Sequence, residues 1–434
     1  MSGVTIGFIG FAMLFALLAL GLPIGVGMGV IGIGGMWYLI SASAAYSKMA
    51  IPPFETVANY GFAVVPLFIL MAQVVFVSGM GKDLYNLAAK WLGHKPGGVA
   101  MASVAGCAGF AAVSASSMAT AATMGLVALP EMKRLKYDHA LATGCVAAGG
   151  SIGILIPPSA LLIIYGILTE SSIGKLFIAG IIPGILEALF YIATIYILCK
   201  LNPSLGPQGE RYTFKERILA FRGCIELILL IILVLAGITI GWFTPTEAGA
   251  VGAFGAIIFS SIRGRINWAK LKIAFFDAMK TSGMIYGILI GAFILNYFLA
   301  VTRIPFIVSE YVAGLPFPPL GVLGLIMTLY LLLGCVLDGA AMMLLTIPIF
   351  FPLAMRLGFD PIWFGILICR AMEMAMITPP IGINVYVIAG IAPDVPMEII
   401  FKGILPFLIA DIFHVLLIIF VPSVAMFLPN LLTQ

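Results

Sequence analysis

The sequence predicts an all-α polytopic membrane protein built from inverted structural repeats, each with a re-entrant helical hairpin and a broken transmembrane helix. The 434-residue chain is 62% hydrophobic and only 9% charged, with a mean hydropathy of +1.18. Soluble domains carry roughly 25% charged residues. The apolar runs are continuous over about 18 residues or more, which favours spanning helices over the alternating strands of a β-barrel. The net charge of +4 is small and gives no indication of nucleic-acid binding.

A pattern written twice in the chain predicts the repeats. Three landmarks recur at a spacing of 222 residues: Pro130 with Pro352, Asp138 with Asp360, and Pro157-Pro158 with Pro379-Pro380. In each copy a small, polar break interrupts an apolar run, a short turn follows, and a second apolar segment breaks at Pro-Pro. Unwound backbone is tolerated in hydrocarbon only where protein or an aqueous cavity satisfies it. Such paired, interrupted segments therefore point to the binding site of a transporter.

The first half of the chain is predicted to contain spans, one interfacial helix and the first hairpin. Pro96–Pro130 is too short for two spans and is interpreted as a re-entrant hairpin with its tip at Val113–Ser117. Gly21, Gly25 and Gly29 have the small-xxx-small spacing that permits close helix contact. The other predicted elements are the spans Val4–Leu20, Ile24–Ile40 and Thr56–Ser78, the amphipathic helix Gly81–His94, the span Ala140–Leu168 broken at Gly149–Pro158, and the span Leu176–Cys199.

The second half repeats this order. Thr244, Pro245 and Glu247 form a helix-start pattern, with a capping threonine, a proline in the first turn and a glutamate that closes a capping box. The predicted elements are the hydrophilic loop Asn202–Arg217, the spans Ile225–Ile240, Ala248–Ile262 and Gly283–Val301, the interfacial helices Asn267–Lys280 and Phe306–Leu315, the hairpin Leu320–Phe351 with its tip near Leu337–Ala340, the broken span Ile362–Ile391, and the last span Gly403–Pro422.

The distribution of positive charge predicts the orientation. Segments 81–95, 131–138, 200–222, 263–280 and 392–402 together hold 17 of the 22 Lys and Arg residues. Short loops rich in Lys and Arg face the cytoplasm. The first hairpin is therefore expected to enter from the cytoplasm and the second from outside, so that the two copies are inverted.

The breaks supply candidate cation ligands. Backbone carbonyls and hydroxyls without a full negative charge suit a monovalent cation such as Na⁺ better than a divalent one. Two or more Na⁺ sites are expected, one at each pairing of a hairpin tip with a helix break. The first set of candidates is Ser114, Ser116 and Ser117 facing Gly153, Ile156 and Pro158, and the second is Gly334, Asp338 and Gly339 facing Thr378, Pro379 and Pro380.

One positive charge lies inside the predicted membrane region. Arg370 and Glu373 are three residues apart on one helix face, ahead of the second Pro-Pro. Arg370 is predicted to contact a substrate carboxylate with its planar fork, with Glu373 holding it in the unloaded state. The alternative is a structural pair that neutralises itself. Glu187, Asp411 and His414 appear isolated in the sequence and are assigned no role, whereas Ser116, Ser151 and Asn384 complete the candidate substrate contacts.

Gly149–Gly153 reads GGSIG and also matches the G-x-S-x-G pattern of serine hydrolases. That pattern needs a strand before the serine, whereas here both flanks are apolar helix. An intramembrane serine protease using Ser151, with His139 or His414 as base, is a remote alternative.

Several motifs resemble the large membrane subunit of tripartite ATP-independent periplasmic (TRAP) transporters. They run over nearly the whole chain: VSASSMATAATMG, LPEMKRLKYD, AAGGSIGILIPPS, IIYGILTESSIGKLFIAGIIPG, GWFTPTEAGA and ITPPIGINVYVIAG. The resemblance implies a Na⁺-coupled importer of an organic acid, such as sialic acid or a C4-dicarboxylate, in a bacterial inner membrane. It also implies a small four-helix membrane (Q) subunit and a periplasmic substrate-binding (P) protein as partners, and no organic cofactor. Because Val4 already begins the large-subunit pattern, the small subunit is expected to be a separate chain.

The same resemblance implies an elevator mechanism, in which a transport domain moves against a scaffold. Residues 1–95 and 201–319 are then scaffold helices with their interfacial arms, and 96–200 and 320–434 are the two transport repeats. The absence of a G-x-x-x-x-G-K-[ST] motif fits coupling to an ion gradient. An ion channel is the alternative of another class, and it would need a continuous pore in place of one occluded site.

Overall fold

The computed structural model describes residues 2–114, 116–314, 316–334 and 337–432, and these ranges contain helices and no β-strand. The helices of the first half are α1 Gly3–Ala19, α2 Ile24–Leu39, α3 Ala42–Ala58, α4 Val64–Ser78, α5 Met80–Leu92, α6 Gly98–Ser114, α7 Ser117–Arg134, α8 His139–Ser151, α9 Ala160–Leu168 and α10 Ile173–Leu201. Short 3₁₀ turns lie at Tyr60–Ala63 and Ile152–Ile154.

The second half adds ten helices to the described chain. They are α11 Phe214–Ile240, α12 Pro245–Ile262, α13 Trp268–Thr302, α14 Ile304–Ala313, α15 Pro319–Leu333, α16 Gly339–Arg356, α17 Pro361–Ala375, α18 Ile383–Ile391, α19 Met397–Phe420 and α20 Ser423–Leu432. Seven helical segments of the described residues are long and apolar enough to cross a membrane: Tyr60–Ser78, Ile173–Leu201, Phe214–Ile240, Pro245–Ile262, Trp268–Thr302, Gly339–Arg356 and Met397–Phe420.

Both predicted hairpins and both predicted breaks are present. Helices α6 and α7 form the first hairpin, and α15 and α16 the second. The first broken helix is α8 followed by α9, and the second is α17 followed by α18. The Pro157–Pro158 and Pro379–Pro380 peptide bonds are both cis. The predicted capping box before α12 is also present, with the Thr244 side chain bound to the Glu247 N–H and the Glu247 carboxylate bound to the Thr244 N–H.

Several predicted boundaries are wrong. Helix α3 was not predicted, because its Pro52-Pro53 pair and its charged residues are unusual inside a helix. It includes Thr56, which the prediction assigned to the next span. Trp268–Thr302 is one continuous helix, so the predicted interfacial and spanning pieces are not separate. Helix α20 follows the predicted last span. The first break covers residues 152–159, so Gly149, Gly150 and Ser151 are helical.

Glycines allow some pairs of helices to approach each other closely through their backbones. The predicted series of Gly21, Gly25 and Gly29 does not form one such contact. A Cβ on Gly25 of α2 would lie 2.4 Å from the Gly287 carbonyl oxygen of α13, whereas one on Gly29 would meet nothing within 4 Å. The closest approach joins the two halves of the chain. A Cβ on Gly403 of α19 would lie 1.8 Å from the Ala140 carbonyl oxygen of α8.

Helices of the two halves of the chain pack extensively against one another. Helices α2 and α4 pack against α13, and α4 also packs against α12. Helices of the first hairpin region pack against helices of the second, as α8 does against α19, α10 against α20, and α9 against α16. The core is therefore built jointly by the two halves.

The five loops rich in Lys and Arg meet on one face of the protein. The Gly209 N–H donates to the Gly93 carbonyl at 2.8 Å, and the Asp138 N–H donates to the Leu205 carbonyl at 3.0 Å. Lys133 pairs with Asp394 at 2.5 Å, and Arg265 pairs with Asp83. These contacts join all five segments, as a shared side of the membrane requires.

Candidate functional site

The turn of the first hairpin contains a cluster of oxygen atoms. Ser116 is the N-cap of α7, and its hydroxyl accepts from the Ala119 N–H at 3.4 Å. Ser114 Oγ and Thr120 Oγ1 lie 2.6 Å apart, and the Thr120 hydroxyl donates to the Ser116 carbonyl at 2.9 Å. Thr120 was not identified from the sequence. Its position one helical turn after Ser116 is the signal that could have found it.

Of the three residues of the first break predicted to face this tip, Gly153 lies beside it. A Cβ on Gly153 would lie 3.1 Å from Thr120 Oγ1 and 3.2 Å from the Ser116 carbonyl oxygen. Glycine at this position therefore lets the break approach the oxygen cluster closely, where a side chain would be crowded. Ile156 points elsewhere and packs against Gly184 of α10, and Pro158 is buried.

The second tip has a carboxylate at the corresponding place. Asp338 is the N-cap of α16, and its Oδ1 accepts from the Ala341 N–H at 2.9 Å. Gly334 lies against Ala375, the last residue of α17, because a Cβ on Gly334 would be 2.2 Å from the Ala375 Cβ. The second tip therefore packs at the edge of the second break.

The second break is more open than the first. The Thr378 hydroxyl donates to the Met374 carbonyl at 2.6 Å, and the Asn384 N–H donates to the Met376 carbonyl at 3.1 Å. Pro379 and Pro380 are exposed, whereas Pro157 and Pro158 are buried. The two breaks are therefore not equivalent in their surroundings.

Both tips line one cavity of about 580 Å³, a size within the usual range of roughly 300–1,000 Å³ for small-molecule sites. Helices α4 and α13 form the opposite wall. The lining residues are Ile69, Ala72, Gln73, Phe76, Phe110, Ser114, Ser116, Ser117, Met118, Ala119, Ala122, Ile154, Ala160, Leu161, Asp277, Thr281, Met284, Ile285, Asp338, Gly339, Ala340, Met376 and Ile383.

The charge of this cavity comes from two sources. Asp277 and Asp338 are the charged side chains among its described lining residues, and neither Lys nor Arg is among them. The first residues of four helices also line it, at the starts of α7, α9, α16 and α18. Helix starts present free N–H groups and the positive end of the helix dipole. The cavity thus combines carboxylates that suit cations with backbone positions that suit anions.

Ser116 is the only one of the four candidate substrate contacts among the described lining residues. The Ser151 hydroxyl is buried and donates to the Ala148 carbonyl at 2.6 Å, and the Asn384 amide donates to the Ala147 carbonyl at 3.3 Å. The protease alternative gains no support, because His139 is exposed at the opposite end of α8 from Ser151. His414 contacts Arg370 instead.

Arg370 is fully buried in a cluster outside the cavity. Its guanidinium donates to Glu187 at 2.8 Å, to Glu373 at 2.7 Å, to His414 at 3.0 Å, and to Asp411. Glu187, Asp411 and His414 are therefore not isolated, and their apparent isolation in the sequence was wrong, because α10 and α19 bring them to α17. Contact between Arg370 and a substrate carboxylate stays a prediction, since in this arrangement the guanidinium already has four partners.

An apolar helical bundle with paired hairpins and one cavity at their tips defines a multi-pass membrane permease. The chain belongs to the tripartite ATP-independent periplasmic transporter family, as its DctM component, because the family's sequence profile matches residues 11–424. It is accordingly a protein of the bacterial inner membrane.

Relatives support this membership over nearly the full length. The chain is 34% identical over 398 residues to the C4-dicarboxylate TRAP transporter large permease protein DctM of Pseudomonas aeruginosa, covering 92% of each protein. It is 30% identical over 418 residues to the isethionate TRAP transporter permease protein DctMQ of Oleidesulfovibrio alaskensis, covering 95% of this chain and 65% of that one.

A solved structure supports the fold alone. The YdaH transporter of Alcanivorax borkumensis matches with a TM-score of 0.58 at 15% identity, over 84% of this chain and 88% of that one. Identity this low carries no information about the substrate.

Proposed function

We propose that this chain is the membrane subunit of a Na⁺-coupled importer, in which the cavity between the hairpin tips binds an organic acid. The observation that carries the proposal is the meeting of four helix starts at one cavity without a basic side chain among its described lining residues. Organic acids are the substrates that such a cavity can hold once cations are also bound.

The helix starts supply the attraction for the anion. A carboxylate that leaves water without partners loses several kcal/mol of solvation. Free N–H groups at helix N-termini, together with the helix dipole, replace part of that solvation. Asp277 and Asp338 act in the opposite sense, since each repels an anion. Bound cations would remove that repulsion, which is a physical reason for coupling.

The oxygen cluster at the first tip supports Na⁺ as the coupling ion. Ser114 Oγ, Thr120 Oγ1 and the Ser116 carbonyl oxygen are neutral oxygen ligands that meet beside Gly153. Neutral oxygen ligands suit a monovalent ion better than Ca²⁺, which takes several carboxylates. We assign the second site to Asp338 and Gly339, with Gly334 and the break at Thr378–Pro380, as the sequence predicts.

We infer that transport uses inverted repeats and an elevator motion. Supporting this, α8 packs against α19 and α9 packs against α16, and the cavity is lined by the two hairpin tips together with α4 and α13. A substrate held in such a cavity contacts the hairpin tips as well as α4 and α13. Movement of the hairpin helices relative to α4 and α13 would therefore carry the substrate across the membrane. The division into 1–95 with 201–319 and 96–200 with 320–434 is part of this proposal.

The proposed partners follow from the family. A DctMQ relative of which this chain covers 65% has additional chain length. We propose that a separate small Q subunit and a periplasmic binding protein complete the complex. The substrate is proposed only as an organic acid, because relatives of similar identity carry the names of different substrates.

The test is uptake into proteoliposomes that contain this chain with its Q subunit, supplied with the cognate binding protein and a panel of labelled acids. We expect saturable uptake of one acid that requires an inward Na⁺ gradient. Uptake that is unchanged when choline replaces Na⁺ on both sides would rule out the coupling. Single-channel currents in planar bilayers would instead favour the ion-channel alternative.

A further inference from the structure

The side chains of the cluster around Arg370 are not among the described residues that line the hairpin-tip cavity. Arg370 and Glu373 lie on α17, Glu187 lies on α10, and Asp411 and His414 lie on α19. All five side chains are fully buried. Buried ionisable groups within a membrane are costly and are commonly functional.

Two carboxylates converge on a single nitrogen of Arg370. Its NH1 donates both to Glu187 Oε1 at 2.8 Å and to Glu373 Oε2 at 2.7 Å. The other terminal nitrogen, NH2, donates to Asp411. Asp411 thus has a nitrogen of its own, whereas the two glutamates share one. Because like charges this close repel each other, the pair is more stable when one of the two carboxyl groups is protonated.

His414 does not supply the missing positive charge. Its Nδ1 accepts from Arg370 Nε at 3.0 Å, so Nδ1 carries a lone pair and the ring is neutral. With three ionised carboxylates, the cluster would therefore hold a net charge of minus two around one guanidinium. That charge would be buried without compensation, at a cost of several kcal/mol per ion.

Several atoms of the cluster have unused hydrogen-bonding capacity. Glu187 Oε2, Glu373 Oε1 and Asp411 Oδ2 are buried acceptors without a partner, and the Tyr191 hydroxyl and His414 Nε2 are unpartnered as well. Because Glu187 and Glu373 also meet at NH1, a proton on either of them would supply a donor that these acceptors lack.

The surroundings offer no other charge to do this. The remaining titratable groups that face the cluster are Tyr191 on α10 and Cys369 on α17. Helices α15, α18 and α20, packed against these three, contain no Asp, Glu, Lys, Arg or His. His139 and Arg356 lie at the ends of α8 and α16, and α11 carries its charged residues in its first half. Among the described residues, no group of His, Cys, Asp or Glu is arranged to hold a metal ion.

We propose that Glu187 and Glu373 form a proton-binding site, in which one proton is shared by the two carboxyl groups beside Arg370. The site joins α10 of the first half to α17 of the second, so the shared proton would also stabilise the contact between the two halves of the chain. It is separate from the hairpin-tip cavity, and its test requires neither substrate nor transport.

Infrared spectroscopy of the purified full-length protein at neutral pH tests this proposal. A protonated carboxyl group has a carbonyl stretch separate from that of a carboxylate. We expect such a band to shift when the protein is labelled with ¹³C-glutamate and to remain when it is labelled with ¹³C-aspartate. Glu187→Gln and Glu373→Gln should each abolish the band, because the remaining glutamate then has NH1 of Arg370 to itself and ionises. Glu398→Gln, an exposed position outside the cluster, is the matched control and should retain it.

Either of two results would overturn the proposal. One is a spectrum of the unaltered protein without a protonated-glutamate band, as would occur if Na⁺ or another cation occupied the site. The other is a band that persists in both glutamine variants. The labelling experiment on the unaltered protein decides the matter if a glutamine variant fails to fold.

Discussion

Ser116 and Asp338 occupy equivalent positions in the two hairpins: each is the N-cap of its hairpin's second helix, and they lie 222 residues apart. This is the same spacing that separates the two cis Pro-Pro bonds. Each side chain accepts a hydrogen bond from the third N–H of its helix. One is a neutral hydroxyl and the other a carboxylate, so two sites of similar backbone geometry differ in charge. We expect them to differ in cation affinity for that reason.

The first prediction tests the oxygen cluster at the first tip. Thr120→Val keeps the shape of the side chain but removes a hydroxyl that lies 2.6 Å from Ser114 Oγ. Loss of one such ligand should cost about 1–2 kcal/mol, which is about 5- to 30-fold in the Na⁺ concentration for half-maximal uptake. Thr123→Val is the matched control, since its hydroxyl bonds only to the Ala119 carbonyl one turn away. Equal Na⁺ dependence in the two variants would contradict a cation site here.

The second prediction concerns the contact between α8 and α19. Gly403→Ala would place a methyl group 1.8 Å from the Ala140 carbonyl oxygen, where backbone must move to admit it. We expect a loss of about 1–3 kcal/mol in the free energy of unfolding, measured by thermal melting in detergent. Gly390→Ala on α18 meets nothing within 4 Å and should be neutral or stabilising. A melting temperature unchanged by Gly403→Ala would mean that the two helices are not packed this closely.

The third prediction concerns orientation. Lys136 lies in one of the basic loops that share a face, and Ser171 lies between α9 and α10 at the far end of the broken helix. In a variant without native cysteines, Cys at Ser171 should react with an impermeant maleimide in intact spheroplasts, and Cys at Lys136 should react only after lysis. The reverse pattern would place the basic face outside.

The fourth prediction concerns pH and the ion pair between Lys133 and Asp394. The hydrogen bond from Lys133 lowers the pKa of Asp394 from its usual value. A depressed carboxyl pKa stabilises the folded state above the pKa of the unfolded chain, and this stabilisation is lost as pH falls through the folded value. Asp394→Asn should therefore lower the melting temperature slightly at pH 7, and the difference should vanish in acid.

The exposed position of this pair keeps the effect small and sensitive to salt. Lys133→Gln should reproduce the effect of Asp394→Asn, and the double variant should add little further. An effect that persists in acid would have to come from some other interaction of Asp394.

The features that the sequence predicted correctly are local in the chain. The capping box at Thr244, the break at Pro157-Pro158 and the tip at Ser116 each depend on neighbouring residues, whose types fix the backbone. Helix α3 was not predicted because proline is normally unfavourable inside a helix. Pro52-Pro53 nevertheless lies within a segment that is helical in the folded protein.

The cluster at Arg370 could not be predicted because its partners are distant in sequence. Glu187 lies 183 residues from Arg370, and Asp411 lies 41 residues away on another helix. Only the relation between Arg370 and Glu373, on one helix face, was readable from spacing. Thr120 is an intermediate case. It is close to Ser116 in the sequence, but only the folded chain shows that Gly153 lies beside its hydroxyl.

The four helix starts at the cavity have an evolutionary consequence. Backbone N–H groups are present at every residue except proline, so in the proposed function the attraction for an acid would not depend on any one side chain. Point mutations could then reshape the cavity walls at positions such as Gln73 and Met284. The attraction of the backbone N–H groups for the anion would persist. A lineage could in this way exchange one acidic nutrient for another through gradual substitutions, without passing through a form that binds no acid at all.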